Sequence, residues 1–572
     1  MRGCASGGSL CVRYRRPLKE RKTLVCKTPR VRAPSTIAPA SSAFRREPAW
    51  CFESRRLQEA FFNKTRANPF ERDFSSSPLR GPRVIMRAPK GTFATAAAQH
   101  AGLPQGTVHK QVVIVGNGPS GIALSHMLNG NWPYYNGQPH PTDEDLTARL
   151  AMEPQGLSIV EQDLQFLSQG LEGRSNNAVS LLFDCLNLPC ADLGVDSEPL
   201  LGWQYHPDKY VDHVVLGKGP PGGSWQTMDG SVLTISLSRW MELPGLDFRC
   251  FGGGGPPICR DSRASVASLA KYYSDYVKLR HLQSNFRCGT IVTRVTPLPD
   301  NQWLISGVEQ AGDEGAPDLP FNYVTSHLVL ATGNCDRPNK LKVPGDSEPF
   351  VVYSLLDIER MVKQGKLGEH SDPVLVVGAG LSAADAIISC RFHGLPVLHA
   401  FRRSSGDPGF VFKQLPENMY PEYHKVHQMM TDGGKSYKNY RSLPEHKIIE
   451  IRPDNKVRLM GPGDNGSSAC YVIKVSAVVA LLGAQPDLDF MPMAGAGLGV
   501  LKDLPVASRS NPVHIDPFSY ECSSAPGLYA IGSLAGDNLV RFVHGGALAF
   551  TSHIHKQMTS EANDTAEETV DV

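Results

Sequence analysis

Gly116, Gly118 and Gly121 stand in the spacing Gly-x-Gly-x-x-Gly, a pattern that can bind a nucleotide phosphate. The first glycine permits a tight turn, the second lets a pyrophosphate approach the backbone, and the third lets a helix pack closely on a strand. A helix that begins here would direct its N-terminal amides and the positive end of its dipole at phosphate. The glycines alone also fit a turn in an ordinary sheet.

The residues on either side of these glycines favour phosphate binding. The preceding stretch, QVVIV (111–115), is apolar and β-branched, which is typical of a buried parallel strand. The following stretch, ALSHML (123–128), is typical of a buried helix. A strand, a glycine turn and a helix in this order are the structural context that the motif requires.

A second unit of the same form lies at DPVLVVGAGLSAADAII (372–388), with Gly378, Gly380 and Ala383 at the motif positions. About 20 residues later a strand, PVLHAF, ends at Arg402 and Arg403. At this position an acid selects a free ribose 2′-hydroxyl, whereas arginine accommodates a 2′-phosphate by bidentate hydrogen bonding. The pair therefore predicts NADPH, and a solvated basic pair at the start of a loop is the alternative.

Further strands are predicted between and after the two units. They lie in SHLVLATGNCDRP (326–338), YVIKVSAVVALLGAQPDL (471–488) and APGLYAIGSLAGDNLVRFVHGGALAF (525–550). The last stretch places Gly536 and Asp537 before a helix of small residues, where side chain and backbone could bind a ribityl or phosphate group. The order of these signals predicts an α/β protein.

This order resembles that of the two-dinucleotide flavoproteins, in particular the flavin-containing monooxygenases, whose Gly-Gly-x-Trp closing the FAD site is similar to PGGSW (221–225). Residues 108–556 more closely resemble the oxidative stress-induced growth inhibitor family. The stretches that carry this resemblance are VIVGNGPSGIALSHML, SIVEQDLQFLSQGLEGRS, HVVLGKGPPGGSW, GAGLSAADA, FKQLPENMYPEYHKVHQMM and LAGDNLVRFVHGGALA. The resemblance implies an FAD-type fold, an NADPH-dependent monooxygenase, and a role in growth control, cell death and late cytokinesis.

The resemblance and the motifs together predict two Rossmann-like domains. An FAD domain, with a parallel sheet and a covering β-layer, would comprise 106–348 and 475–556, with an NADPH domain inserted at 349–474. A disordered basic arm would precede them at 1–105, and a polar acidic tail would follow at 557–572. The residues predicted to bind FAD or NADPH are Gly116, Gly118, Pro119, Ser120, Gly121, Gly222, Gly223, Ser224, Trp225, Gly378, Gly380, Ser382, Ala383, Arg402, Arg403, Gly536 and Asp537.

Two expected features are missing. No Asp or Glu stands at Leu216 or Gly217, where the FAD ribose acid is expected, and about 95 residues separate Gly121 from this strand. Glu161 could end an alternative strand, although an insertion helix around Leu164 fits equally well. The segment LTISLSRWMELPG (233–245) also lacks the Asn that supports the flavin hydroperoxide in monooxygenases. Ser236 and Ser238 are the candidates to replace it, and a capped turn or a strand hydroxyl is the alternative.

Charge is distributed unevenly although the chain of 572 residues has a net charge of only +2. Residues 1–100 hold 21 Lys and Arg against 6 Asp and Glu, whereas 101–572 are acidic. The arm fits a disordered extension or an organellar transit peptide. The thirteen cysteines contain no CxxC pair, and no apolar run reaches the roughly 20 residues of a membrane helix. We expect no metal, nucleic-acid partner or membrane span, and a cytoplasmic location, with the midbody implied by the resemblance, or mitochondria if the arm is a transit peptide.

These observations leave three functional hypotheses. The first is a monooxygenase that acts on an unidentified small molecule or protein. The second is an NADPH oxidase or reductase that releases hydrogen peroxide, which the missing Asn favours. The third is a regulatory protein that uses the fold to bind protein partners, which the missing ribose acid favours. Fold alone does not choose among them.

Overall fold

The computed structural model describes residues 102–248, 262–311, 317–435, 437–463 and 467–570, with side chains to residue 561. The predicted arm, apart from residues 102–105, lies outside these ranges. A five-stranded parallel sheet organises the first domain around the strand Val112–Val115. From edge to edge its strands are Phe286–Cys288, His213–Gly217, Val112–Val115, His327–Leu330 and Leu528–Ala530. This is the doubly wound order of a dinucleotide-binding sheet.

The two faces of this sheet are covered differently, and alternate residues of Val112–Val115 point to opposite faces. Val112 and Ile114 pack among helices, while Val113 and Val115 pack on a β-layer with Trp303. The helices of this domain are Pro119–Leu128, Glu144–Met152, Leu164–Leu167, Ala178–Asn187, Val266–Leu279 and Val543–Val570. The β-layer contains Val108–His109, Leu319–Thr325, Trp303–Glu309 and Thr290–Pro297. The predicted covering β-layer is therefore present.

A long insertion separates the first helix of this domain from the strand His213–Gly217. It contains the antiparallel strands Asn131–Tyr135 and Leu201–Tyr205 and three of the helices. Glu161 ends a short 3₁₀ helix, Ile159–Glu161, where its carboxylate accepts a hydrogen bond from the Ser158 N–H. Glu161 is thus not the end of a sheet strand, and the insertion-helix interpretation is confirmed.

The second domain has its own five-stranded parallel sheet, centred on the strand of the second glycine motif. Its strands in spatial order are Val351–Val352, Ala477–Ala480, Val374–Val377, Val397–Phe401 and Tyr440–Pro444. The helices Leu355–Lys363, Leu381–Phe392 and Pro421–Thr431 belong to this domain. A three-stranded antiparallel sheet packs on the opposite face and contains Lys447–Arg452, Lys456–Pro462 and Ser468–Lys474.

One predicted boundary is wrong. Ala477–Ala480 pairs in parallel with Val374–Val377, so the second domain extends beyond residue 474. The chain returns to the first domain through Ala484–Gln485, which pairs antiparallel with the outgoing segment Arg337–Pro338. We call these two paired segments the neck. The Asn339 N–H also donates to the Gly483 carbonyl at 2.9 Å, which extends the contact between the two connections.

Two smaller features complete the described chain. The strands Leu233–Leu237 and Arg263–Ser265 form a separate antiparallel pair, which we call the hairpin. The helix Val543–Val570 continues through most of the predicted polar tail. No helix within the described ranges is long and apolar enough to cross a membrane.

Candidate functional site

Two glycines of the first motif are needed for the turn itself. Gly116 has φ of +116°, and a Cβ there would lie 2.3 Å from the Ala331 carbonyl oxygen. A Cβ on Gly121 would lie 2.1 Å from the Gly116 carbonyl oxygen. Both positions therefore require glycine, as predicted for a tight turn followed by close packing of helix on strand.

Gly118 differs because space is open beside it. A Cβ there would meet only the Cα of Gly223, at 4.0 Å. Gly118 precedes the helix Pro119–Leu128, and no side chain caps this helix N-terminus. The first amides of the helix are therefore not satisfied by a capping side chain, which suits them to an anionic group.

The open space belongs to a cavity of about 890 Å³ in the first domain. This volume falls in the range of about 300–1,000 Å³ that is usual for small-molecule and cofactor pockets. The predicted residues that line it are Gly116, Gly118, Pro119, Ser120, Gly223, Ser224, Trp225 and Asp537. Gly121, Gly222 and Gly536 do not line it, and Gly222 and Gly536 have positive φ and shape the adjoining turns.

Several lining segments were missed at the sequence level. They include Lys218, residues 290–293, 332–336 and 538–540, and the residues Asp487, Asp489 and Phe490. One signal was available, because Thr332 to Asp336 follow a parallel strand and ligands bind beyond the carboxyl ends of such strands. The lining residues Asp487, Asp489 and Phe490 follow the neck, and no local pattern distinguishes them from an ordinary loop.

Asp537 reaches the cavity wall, but its carboxylate is held by protein hydroxyls. The Ser175 hydroxyl donates at 2.7 Å, the Tyr520 hydroxyl donates at 3.0 Å, and the Ser180 hydroxyl lies 2.9 Å away. The side chain is only 1% exposed, and burial raises its pKa to about 6 despite these hydrogen bonds. Both oxygens of the Asp537 carboxylate therefore already accept hydrogen bonds from the protein. For this reason the geometry does not favour the predicted role of this carboxylate in binding a ligand.

The strand beside the first motif ends at Gly217 without an acid, as expected from the sequence. Lys218 follows it on the cavity wall, 61% exposed in its side chain. Its Nζ lies 3.8 Å from an oxygen of Asp336 and 3.9 Å from an oxygen of Asp487. Charged side chains are therefore present at this end of the cavity, although none belongs to the strand itself.

The second glycine motif repeats the geometry of the first. Gly378 has φ of +128°, and a Cβ there would lie 2.3 Å from the Leu481 carbonyl oxygen. Gly380 has nothing within 4 Å of an added Cβ and precedes the helix Leu381–Phe392, whose N-terminus has no side-chain cap. Ala383 is buried under the turn, while Ser382 is exposed. Open space beside an uncapped helix N-terminus is again suited to a phosphate.

His399 supports this second turn from the neighbouring strand. Its Nε2 donates to the Gly378 carbonyl oxygen at 2.6 Å, and its Nδ1 accepts from the Tyr440 hydroxyl at 2.8 Å. Burial lowers its pKa to about 4, so the ring is neutral at pH 7 and both nitrogens are satisfied.

Arg402 and Arg403 are both exposed at the end of the strand Val397–Phe401. The Arg403 guanidinium donates to the Gly409 carbonyl at 2.8 Å and lies over the Phe410 ring at 5.8 Å. Arg402 has no hydrogen bond or ion pair within the described residues. Arg402 is therefore the side chain of the pair whose guanidinium is available to a ligand.

Ser236 and Ser238 do not line the cavity. The Ser236 carbonyl accepts a hydrogen bond from the Thr234 hydroxyl, and the Ser238 N–H donates to the Ser262 carbonyl at 2.8 Å. Ser238 is 1% exposed. Neither serine is placed to donate to a group bound in the cavity, so the structure gives no support to their predicted role.

The hairpin contacts the N-terminal end of the helix Pro421–Thr431 of the second domain, and a buried cation, Arg263, contributes to this contact. The Arg263 guanidinium lies 2.5 Å from a Glu422 carboxylate oxygen and 4.6 Å above the Tyr420 ring. The Tyr420 hydroxyl donates to the Ile235 carbonyl of the hairpin at 2.5 Å. We call this set of contacts the Arg263 clamp.

Two glycine turns, each between a strand and a helix of a doubly wound parallel sheet, define a protein with two dinucleotide-type α/β domains. The chain belongs to the oxidative stress-induced growth inhibitor family, which confirms the resemblance. It is 43% identical over 464 residues to mouse oxidative stress-induced growth inhibitor 1, covering 78% of this chain and 95% of that protein. It is 41% identical over 480 residues to human oxidative stress-induced growth inhibitor 2, covering 78% and 94%.

The solved structures to which the chain is similar are more distant in sequence. Bacillithiol disulfide reductase from Bacillus cereus is 15% identical, with a TM-score of 0.49, covering 78% of this chain and 99% of that one. A flavin-containing monooxygenase from Stenotrophomonas maltophilia is 14% identical, with a TM-score of 0.43, covering 80% and 100%. No protein-family model matches the chain.

Proposed function

We propose that the chain is an NADPH-dependent flavoprotein that binds FAD in the first-domain cavity. The observation that carries this proposal is the open space beside Gly118, where an uncapped helix N-terminus adjoins a cavity of about 890 Å³. The amides after Gly118 would hold the pyrophosphate, and Trp225 and Gly223 would close the opposite wall. The residues present therefore fit a dinucleotide of this size and charge.

The second motif would bind NADPH. The amides after Gly380 would hold its pyrophosphate, and Arg402 would pair with the 2′-phosphate, because its guanidinium has no competing partner in the described residues. His399 would hold the Gly378 turn in place through its hydrogen bond to the Gly378 carbonyl oxygen. Because the NADPH domain is inserted into the FAD domain, we expect the bound NADPH to lie near the bound FAD. The hairpin and the Arg263 clamp would hold the two domains together.

The proposed reaction is oxygenation of a nucleophilic small molecule or protein side chain at the expense of NADPH. FAD would supply hydride acceptance and oxygen activation, while the chain positions both cofactors and excludes water. The names of the relatives support a connection with growth inhibition during oxidative stress. We extend the proposal to cell death, late cytokinesis and a cytoplasmic or midbody location, or mitochondria if the arm is a transit peptide.

A second candidate is an NADPH oxidase that releases hydrogen peroxide. It is favoured because Ser236 and Ser238, the candidates to replace the missing Asn, do not line the cavity. A preorganised donor of this type typically contributes about 2.7–4 kcal/mol where charge develops. Without such a donor, we expect much of the oxygen consumed to return as hydrogen peroxide.

A third candidate is a regulatory protein without turnover, which would bind its partners through the same fold. It is favoured by the absence of an acid at Gly217. This candidate predicts a chain that folds fully and has little or no flavin-dependent activity.

One set of measurements separates the three candidates. The purified protein is expected to carry a flavin absorbance that bleaches when NADPH is added without oxygen. Readmission of oxygen with catalase-sensitive peroxide detection then gives the moles of hydrogen peroxide formed from oxygen per mole of NADPH oxidised. Nearly complete peroxide release with every substrate tried favours the oxidase. If the protein binds FAD but never oxidises NADPH, the regulatory protein is the candidate that remains. If it binds no FAD after reconstitution, the proposal is contradicted.

A further inference from the structure

The strand end that lacks an acid has a second unusual feature. Gly217 is the last residue of the strand His213–Gly217, which lies directly beside Val112–Val115. In dinucleotide-binding sheets, an acidic side chain at this end accepts hydrogen bonds from the adenosine ribose. Gly217 has no side chain that could accept these hydrogen bonds. The space that such a side chain would need is nevertheless occupied by another residue.

Asn117 fills it. A Cβ on Gly217 would lie 2.1 Å from the Asn117 Nδ2 and 2.2 Å from its Cγ. The amide of Asn117 therefore occupies the volume that a side chain at residue 217 would need. Asn117 lies inside the glycine motif, between Gly116 and Gly118, and it lines the cavity.

The orientation of this amide is set by its neighbours. The Asn117 Nδ2 donates to the Gly219 carbonyl oxygen at 2.7 Å, and the backbone carbonyl of Asn117 accepts from the Gly222 N–H at 2.9 Å, which fixes the loop that carries this side chain. Since a carbonyl faces Nδ2, Oδ1 must point the other way. No described group donates to Oδ1, although the residue is only 4% exposed. The result is a fixed, neutral acceptor at the ribose end of the cavity.

We propose that Oδ1 of Asn117 accepts a hydrogen bond from a ribose hydroxyl of the FAD adenosine, in place of the carboxylate that this strand lacks. This inference rests on the proposed function, because it assigns one more contact in the same cavity. The motif loop thus performs a task that usually belongs to the neighbouring strand. A neutral acceptor binds the hydroxyl more weakly than a carboxylate, because charge-assisted hydrogen bonds are the stronger ones.

The rival acceptors at this end are the carboxylates of Asp336 and Asp487. Both are already close to the Lys218 ammonium, and the Asp336 Oδ2 also accepts from the Asp487 N–H at 3.4 Å. Asp336 follows the strand His327–Leu330 and Asp487 follows the neck, whereas the strand that usually supplies the ribose acid is His213–Gly217. Asp336→Ala, which removes a rival acceptor altogether, therefore serves as the comparison variant.

The test compares FAD with FAD analogues whose adenosine lacks the 2′- or the 3′-hydroxyl. Dissociation constants are measured by flavin fluorescence for the full-length protein and for Asn117→Ala. We expect the unmodified protein to bind at least one deoxy analogue about threefold to tenfold more weakly than FAD. In Asn117→Ala this difference should vanish, as a double-mutant cycle requires when two groups contact each other. Asp336→Ala should retain the difference.

A compensating pair of substitutions covers the case in which Asn117→Ala folds poorly. Gly217→Glu alone should lose FAD, because its Cβ collides with the Asn117 amide. Asn117→Gly with Gly217→Glu should restore FAD binding, because the new carboxylate then has space at the strand end. Circular dichroism reports whether each variant is folded.

The outcomes separate this inference from the proposed function. If the unmodified protein binds no FAD, both are overturned. If it binds FAD but a folded Asn117→Ala keeps the full preference for the ribose hydroxyls, only the Asn117 assignment is overturned. The Asn117 assignment is also overturned if Asp336→Ala is the variant that removes the preference.

Discussion

At the scale of single residues, the two glycine motifs contain glycines of two kinds. Gly116, Gly121 and Gly378 are glycines because a Cβ would collide with backbone oxygens at 2.1–2.3 Å. Gly118 and Gly380 have space beside them, so their substitution tests ligand binding without a steric defect in the fold. The sequence predicted all five positions from spacing alone, since the motif specifies the backbone turn and helix packing.

The open glycines give a matched pair of variants. Gly118→Val should place a branched side chain in the first cavity, reducing flavin content to near zero with unchanged circular dichroism. Gly380→Val should retain flavin and lose reduction by NADPH. The absorbance of each purified variant, before and after NADPH is added anaerobically, measures both effects. Retention of full flavin by a folded Gly118→Val would show that the motif is only a turn.

The two arginines should contribute unequally to nucleotide preference. We expect Arg402→Ala to reduce the preference for NADPH over NADH by at least tenfold, because this guanidinium has no hydrogen-bond or ion-pair partner among the described residues. Arg403→Ala should have a smaller effect, since Arg403 is tied to Gly409 and Phe410. The ratio of kcat/KM for the two nucleotides is the measurement. Equal use of NADPH and NADH by the unmodified protein would contradict the assignment.

At the scale of elements, the sequence predicted each strand and helix of the glycine units but not which sheet each later strand joins. Ala477–Ala480 and His327–Leu330 have the same apolar character, and each is followed within three residues by glycine. Sheet membership depends on pairing with residues distant in sequence, such as Val374–Val377, so the boundary at residue 474 was misplaced. The filling of the Gly217 position by Asn117 was equally inaccessible, because it is a contact between elements.

The Arg263 clamp joins two elements of different domains and gives a further prediction. Arg263→Ala should destabilise the protein by about 1–3 kcal/mol, because it removes a nearly buried cation with a charged partner. Hydrogen exchange should rise in the helix Pro421–Thr431 and in the hairpin. Glu422→Gln keeps an acceptor for Arg263 and should have a smaller effect. Unchanged exchange in both elements of Arg263→Ala would mean that other contacts hold the domains together.

At the scale of the whole molecule, buried histidines should make stability fall in acid. Burial is the largest cause of the lowered pKa of His126, to about 3, and of His213, His399 and His544, to about 4. Below about pH 6.5 the unfolded chain protonates these histidines while the folded chain does not, so acid favours unfolding. Asp184 and Asp537 oppose this, because burial raises their pKa to about 7 and about 6 in the folded chain.

Burial also lowers the pKa of His327 to about 4 and raises that of Asp385 to about 6. Five such histidines therefore outnumber three acids, so we expect a net loss of roughly 2–3 kcal/mol per pH unit between about pH 6 and 4. Urea unfolding at several pH values measures this slope. His399→Gln should lower the slope by about 1.4 kcal/mol per pH unit, since one titrating group is removed. A stability that is constant from pH 6.5 to 4.5 would show that these rings are already accessible to protons when folded.

The neck indicates how the second domain could have been inserted into the chain of the first. Arg337–Pro338 and Ala484–Gln485 lie side by side, so the points where the second domain leaves and rejoins the first are adjacent. The first domain thus already brings the ends of the insertion together, and closing a short loop there costs little entropy. A chain in which a short Gly-Ser turn replaces residues 340–482 should fold and retain FAD without responding to NADPH. The second domain could then be exchanged as a unit. Substituting this one contiguous segment would change the nucleotide specificity of the protein.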